Sequence, residues 1–161
     1  MLFLNCGIRR SELVGLNIAD VYEERIRVGG KGNKGRSGYF GKACRKAIDA
    51  YLIERNKKEL SDNRALFGSR DNNRISVTAV HRLVKKALMK AGLDSTQFSA
   101  HKLRHTAATM MLSGGVDVKT VQEVLGHENL NTTQIYTHIE STELKIAAEA
   151  NPLSKLDFDK S

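Results

Sequence analysis

The sequence predicts a mostly α-helical domain with one small antiparallel β-sheet, an α+β fold, on three observations. Apolar residues recur at helical spacing through most of the chain after residue 42. Strand-like alternation is confined to two short stretches that flank a glycine-dense turn, and the single proline, Pro152, leaves no mark of an interior linker. At 161 residues the chain reads as one domain. A domain of this size buries about 70% of the surface its unfolded chain exposes, enough for a genuine core.

The elements follow in order. Ser11–Leu16 reads as a short helix after a turn at Gly7, and Glu24–Val28 alternates polar and apolar residues as a half-buried strand does. Gly29 to Gly35 then supply backbone that tolerates positive φ, so Arg36–Phe40 can return as the partner strand of a hairpin. Ala43, Ala47, Ile48, Tyr51 and Leu52 fall on one helical stripe. Val77, Val80, Leu83, Val84, Ala87 and Leu88 form another, with Ser76 placed to cap it. The last third reads as shorter helices interrupted at Gly114-Gly115, Gly126 and Asn131. Their expected buried faces are Leu103, Ala107, Met110 and Met111, then Val118, Val121, Val124 and Leu125.

Charge narrows the function classes. Lys and Arg number 26 against 18 Asp and Glu, a formal net charge of +8. From Arg25 to Lys46 there are eight basic residues and no acidic one, whereas the stretch from Glu140 to Ser161 carries five acidic residues against three lysines. This asymmetry suits a face that meets nucleic acid phosphates; the plainer alternative is a solvated lysine surface. Met1–Leu4 is too short for a signal sequence, and no run approaches the roughly 18 apolar residues of a membrane span. Cys6 and Cys44 fit no disulfide framework or paired metal-ligand spacing, so the expectation is a soluble cytoplasmic chain with reduced thiols.

Several residues carry chemistry. His101, Arg104 and His105 sit at i, i+3 and i+4 of one helical stretch, where they can converge on a single ligand. A guanidinium beside an imidazole suits a phosphate, although the same pattern also describes a helix start with exposed cations. Taken singly, His127 reads first as a capping residue and Tyr136 as a partly buried aromatic with its hydroxyl in water. Gly30-x-Gly32-x-x-Gly35 formally matches a dinucleotide fingerprint, but polar strand-like residues follow it where a helix should open. His101 and His105, with His127 or His138, have zinc-like spacing but lack the glutamate base of H-E-x-x-H, and Arg104 would put a cation beside the metal. Glu12, Asp20, Asp94, Glu123 and Glu128 form no evident carboxylate cluster for two-metal chemistry.

Order along the chain unites the pieces. Gly7-Ile8-Arg9-Arg10-Ser11-Glu12-Leu13, Gly30-Lys31-Gly32-Asn33-Lys34, His101-Lys102-Leu103-Arg104-His105, Leu125-Gly126-His127 and Thr133-Gln134-Ile135-Tyr136-Thr137-His138 occur in succession. The set resembles the tyrosine recombinase, or phage integrase, family over nearly the whole chain. That resemblance implies the family's catalytic-domain fold, with Arg9 and Arg104 as phosphate-clamping arginines, Lys31 as the hairpin lysine, His101 and His127 as the imidazoles and Tyr136 as the nucleophile. Glu12 matches the acidic residue that supports the first arginine, and Arg27, Lys34, Arg36, Lys102 and His105 are the expected DNA contacts.

The implied partner is duplex DNA, on which four protomers assemble, the isolated chain being a monomer, with no metal or cofactor. The implied reaction is strand cleavage and rejoining through a 3′-phosphotyrosyl bond; the alternative is a DNA-binding fragment without activity. Residues 1–161 are expected to be a single catalytic domain, N-terminally incomplete and lacking the family's core-binding domain. Residues 140–161 are expected to form a tail that packs in cis or on a neighbour. Arg10, where the family is commonly apolar, and the absence of the usual proline from Arg36–Phe40 depart from the family pattern.

Overall fold

The computed structural model describes residues 1–29 and 35–126. Among them the order is α1 (Leu2–Asn5), α2 (Arg10–Gly15), a 3-10 turn (Ile18–Asp20), β1 (Arg25–Val28), β2 (Arg36–Tyr39), α3 (Lys42–Asn56), α4 (Val77–Lys90), α5 (Ala100–Ser113) and α6 (Val118–Leu125). The expected architecture of helices with one small antiparallel sheet is the one that forms. Lys31 and Lys34 in the hairpin, His127, Tyr136 and the 140–161 tail lie outside the described residues.

The sheet is the simplest, β1 against β2, with Arg25 opposite Tyr39, Ile26 opposite Gly38, Arg27 opposite Ser37 and Val28 opposite Arg36. Side chains alternate across a strand, so Ile26 and Val28 enter the core while Arg27 stays exposed. Partners opposite each other share a face, and this puts Arg36 on the inner side with Val28, Ile26 and Gly38. Gly38 is needed there because a Cβ would lie 3.0 Å from the Cys6 Cβ. Both cysteines are buried and free, and burial pushes their thiols up, Cys44 to about 11.

Side-chain caps start α4, α5 and α6, whereas α3 begins at Gly41 without one. Ser76 Oγ accepts from the Ala79 N–H at 3.1 Å, Ser99 Oγ from Lys102 at 3.4 Å, and Asp117 from Lys119 and Thr120 at 2.9 and 3.0 Å. The apolar stripes are narrower than expected. In α4, which packs against α2, Val80, Val84 and Leu88 are buried, whereas Val77, Leu83 and Ala87 are exposed. In α6, Val121, Val124 and Leu125 are buried and Val118 is exposed. Each helix touches the core on one side only, so residues a hundred degrees off that line meet solvent however apolar they are.

One core runs from α1 through the sheet to α3 and α4, and a second cluster joins Met111 of α5 to Val121, Val124 and Leu125 of α6. Helix α5 spans both, with Ala100 in the first and Met111 in the second. The α1–α2 turn meets this junction at Gly7, where φ is +54° and a Cβ would collide with the Leu125 side chain. Gly7→Ala is therefore expected to destabilise the fold by about 2–3 kcal/mol, from left-handed strain together with overpacking. Urea unfolding midpoints at equal m-value would measure it; a midpoint like the parent's would show that the turn relaxes freely.

Candidate active site

Three arginines from three elements converge on the C-terminal end of α6. Arg36 Nη1 donates to the Val124 carbonyl at 2.6 Å, Arg104 Nη2 to the Leu125 carbonyl at 2.5 Å and Arg9 Nη2 to the Gly126 carbonyl at 2.8 Å. The last carbonyls of a helix lack intrahelical donors and carry the negative end of its dipole, so cations are favoured there. Gly126 closes α6 in the left-handed conformation, φ +63°, which exposes those carbonyls in succession.

Arg9 sits at the N-cap position of α2. Glu12, in the first turn, reaches back to it: Oε2 accepts the Arg9 backbone N–H at 2.6 Å and Oε1 accepts Arg9 Nη1 at 2.9 Å. Arg36 Nη2 reaches the same Oε2 at 2.9 Å. Burial alone would raise the Glu12 carboxyl, but the Arg9 N–H and the Arg36 cation hold it below the usual carboxylate range. Glu12 is thus an anion supporting two guanidinium groups.

Arg104 is the most enclosed of the three, 6% exposed. Helix α5 buries Ala100, Arg104, Ala107 and Met111 on one face, so the guanidinium is carried into the core, where it also donates to the Gly7 carbonyl. Burial pulls its pKa down to about 10, and the Arg9 and Arg36 cations add to the effect against the pull of Glu12. It remains charged at neutral pH.

Arg9 and Arg104 share a groove of about 400 Å³ with His101, between the start of α2 and the first turns of α5. Ile8, Ser11 and Val77 complete much of its wall, and Arg10 lies at its edge with Nη1 3.4 Å from His81 Nδ1. Two cations and an imidazole around a pocket of this size can hold a tetrahedral oxyanion and stabilise added negative charge on it. His105, one residue beyond Arg104, is exposed and does not line the groove; the expected convergence of all three α5 residues reduces to His101 and Arg104. The helix rotation of 100° per residue accounts for the difference.

The remaining site residues are placed as follows. Lys102 and His105 are exposed on α5. Arg27 is exposed on β1 and pairs with Asp20 through Nε and Nη2 at 3.1 and 3.0 Å. Arg36, expected at the DNA face, instead points inward to Glu12 and Val124, because its register places it on the core side of the sheet. Among the described residues no three His, Cys, Asp or Glu side chains cluster, and His127 and His138 of the zinc alternative lie outside them. Sequence reasoning missed the internal tie made by Arg36. Its signal was the period of two from Gly38, the strand's one residue without a side chain.

The phage integrase family model matches residues 1–143. Tyrosine recombinase XerC of Caldanaerobacter subterraneus subsp. tengcongensis is 53% identical over 155 residues, which cover 96% of this chain and 44% of that protein. Tyrosine recombinase XerD of Corynebacterium glutamicum is 42% identical over 148 residues, covering 89% and 48%. The crystal structure of XerA recombinase superposes with a TM-score of 0.74 at 35% identity, over 89% of this chain and 53% of that one. XerH site-specific recombinase bound to its difH substrate in a pre-cleavage complex gives 0.69 at 30%, over 91% and 44%. The chain belongs to the phage integrase family. It spans about half the length of the curated relatives it matches.

Proposed function

We propose that this chain is the catalytic domain of a site-specific recombinase that cuts and rejoins duplex DNA by transesterification, with Tyr136 as nucleophile. The observation that carries the reading is the groove in which Arg9, His101 and Arg104 meet, in a chain of the phage integrase family. In the proposed reaction the Tyr136 phenol loses its proton, with His101 assisting, and its oxygen attacks the scissile phosphorus. The bond from phosphorus to the 5′-oxygen breaks as the phosphotyrosyl bond to the 3′-end forms. Arg9, Arg104 and His127 bear the charge that develops on the non-bridging oxygens, and Lys31 gives its proton to the leaving 5′-oxygen. A phenol with an ordinary pKa near 10 needs that charge stabilisation to act at neutral pH. Because one phosphoester replaces another, a second 5′-hydroxyl can reverse the step and join new strands without ATP.

Arg27, Lys34, Lys102 and His105 are proposed to meet the DNA backbone, and four protomers to assemble on the substrate in the cytoplasm. No helix among the described residues is long and apolar enough to cross a membrane. Nicked duplex that traps the cleaved state is expected to yield an adduct that survives denaturation and is indifferent to chelators. Retardation of duplex DNA should weaken linearly in log–log terms with salt, by about 0.9 per phosphate contacted. Salt-dependent retardation without adduct or cleavage under any condition would identify a binding module instead, and cleavage without adduct that is lost to chelator would point to the zinc alternative. Sedimentation with and without DNA would test the assembly.

A further inference from the structure

Arg9 is held at two points, the Glu12 carboxylate and the Gly126 carbonyl, and Arg36 bonds the first of these and a carbonyl close to the second. Its Nη2 donates to Glu12 at 2.9 Å and its Nη1 to Val124 at 2.6 Å, two residues before Gly126. Its stem lies flat under Gly126, where a Cβ would come within 2.8 Å of Arg36 Cδ. The side chain is 16% exposed, and Arg36 is not among the residues lining the groove. Both Nη atoms of Arg36 are engaged inside the protein, as are those of Arg9 and Arg104, and its Nε is buried without a partner among the described residues; what sets Arg36 apart is its place outside the groove that Arg9 and Arg104 line.

We propose that Arg36 is a positioning residue of the strand-transfer site: by clamping Glu12 to the end of α6 it fixes both supports from which Arg9 is presented to the scissile phosphate. The inference rests on the strand-transfer reading above for its consequence, but its geometry is independent of it. Arg36 also couples β2 to the site, because this side chain ties the strand to α6. Arg36 borders the cleft beside Arg25 and Arg27 on the sheet. A direct phosphate contact from that side is therefore the rival to be tested.

The test compares Arg36→Lys and Arg36→Gln with the parent chain in three measurements. First, the salt dependence of duplex binding: the slope is expected to stay unchanged in Arg36→Gln, and a fall of about 0.9 there would mean that Arg36 itself meets a phosphate, overturning the proposal. Second, single-turnover adduct formation at saturating nicked DNA: the rate is expected to fall about tenfold to a hundredfold while the dissociation constant moves less than about twofold. Lysine should not restore it, since a point charge cannot bridge two acceptors. A parent-like rate in both variants would overturn the proposal.

Third, an NMR titration of the Glu12 carboxyl, which faces Arg9, Arg36 and, more distantly, Arg104. In Arg36→Gln it is expected to titrate higher, carrying the acid limb of the pH–rate profile upward with it; an unmoved titration would overturn the proposal. Should the parent form no adduct at all, the strand-transfer reading fails, while the first and third measurements still decide whether Arg36 organises Glu12 or touches DNA. If Arg36→Gln does not fold, Arg36→Met, which keeps the stem but not the charge, carries the first measurement and Arg36→Lys the second.

Discussion

Tyr136→Phe is expected to abolish the covalent DNA adduct while leaving duplex retardation within about twofold of the parent. The substitution keeps the ring and removes only the phenolic oxygen, so it tests the nucleophile and nothing else. Loss of a nucleophile from an organised site costs about four to six powers of ten in rate, below the reach of a gel assay. The chain holds four tyrosines, and the three within the described residues have other occupations. Tyr51 donates its hydroxyl to the Leu66 carbonyl at 3.2 Å, Tyr22 lies under the Arg25 guanidinium at 4.4 Å, and Tyr39 belongs to β2; none of them lines the groove. Mass spectrometry of the digested adduct should therefore find the nucleotide on the peptide holding Tyr136. An adduct that persists in the phenylalanine variant would end this assignment, and mapping to Tyr22 would move the reaction to a different face of the protein.

The fold was legible wherever a local rule decided the outcome. Ser76 as a cap, alternation in β1, and the buried Val121-Val124-Leu125 face all follow from neighbours in sequence. The groove's chemistry was legible in part: Arg9, His101 and Arg104 were marked by residue type and order, though nothing local says that residue 9 meets residue 126. What escaped was the direction in which basic side chains point. Arg36 lies in a run of eight basic residues, and its composition argues for a surface, but its register opposite Val28 turns it inward. Arg55 makes the same point outside the site. It lies at the end of α3 between Glu54 and the exposed Lys57 and Lys58, yet it is buried, and its guanidinium holds the carbonyls of Ala65 and Asn63 at 3.0 and 3.1 Å. Charge counts do not reveal such arginines, because a long side chain with five donors can satisfy a distant loop as readily as a ligand.

Arg104→Ala should fail twice, in rate and in stability, and the contrast with Arg9→Ala separates the two. Arg104 ties the Gly7 turn to the Leu125 carbonyl from inside the core. Its removal leaves two buried carbonyls without donors and a cavity beside them, an expected loss of about 3–5 kcal/mol in denaturant unfolding. Arg104→Met refills most of the volume but satisfies neither carbonyl, so it should recover only the packing part of that loss. Arg9 is 45% exposed in its side chain, and water can replace it at Gly126 and Glu12. Arg9→Ala is therefore expected to cost about 1 kcal/mol or less in stability. In single-turnover cleavage the two alanine variants should nevertheless lose similar factors, about a hundredfold to a thousandfold, since each removes a donor from the same developing charge. Neither loss should vary between about pH 6 and 8, because even with its pKa drawn down to about 10 Arg104 stays protonated across that interval. Equal stability losses in the two variants would contradict the burial of Arg104; a rate loss confined to one of them would mean that the groove does not present both guanidinium groups to a single phosphate.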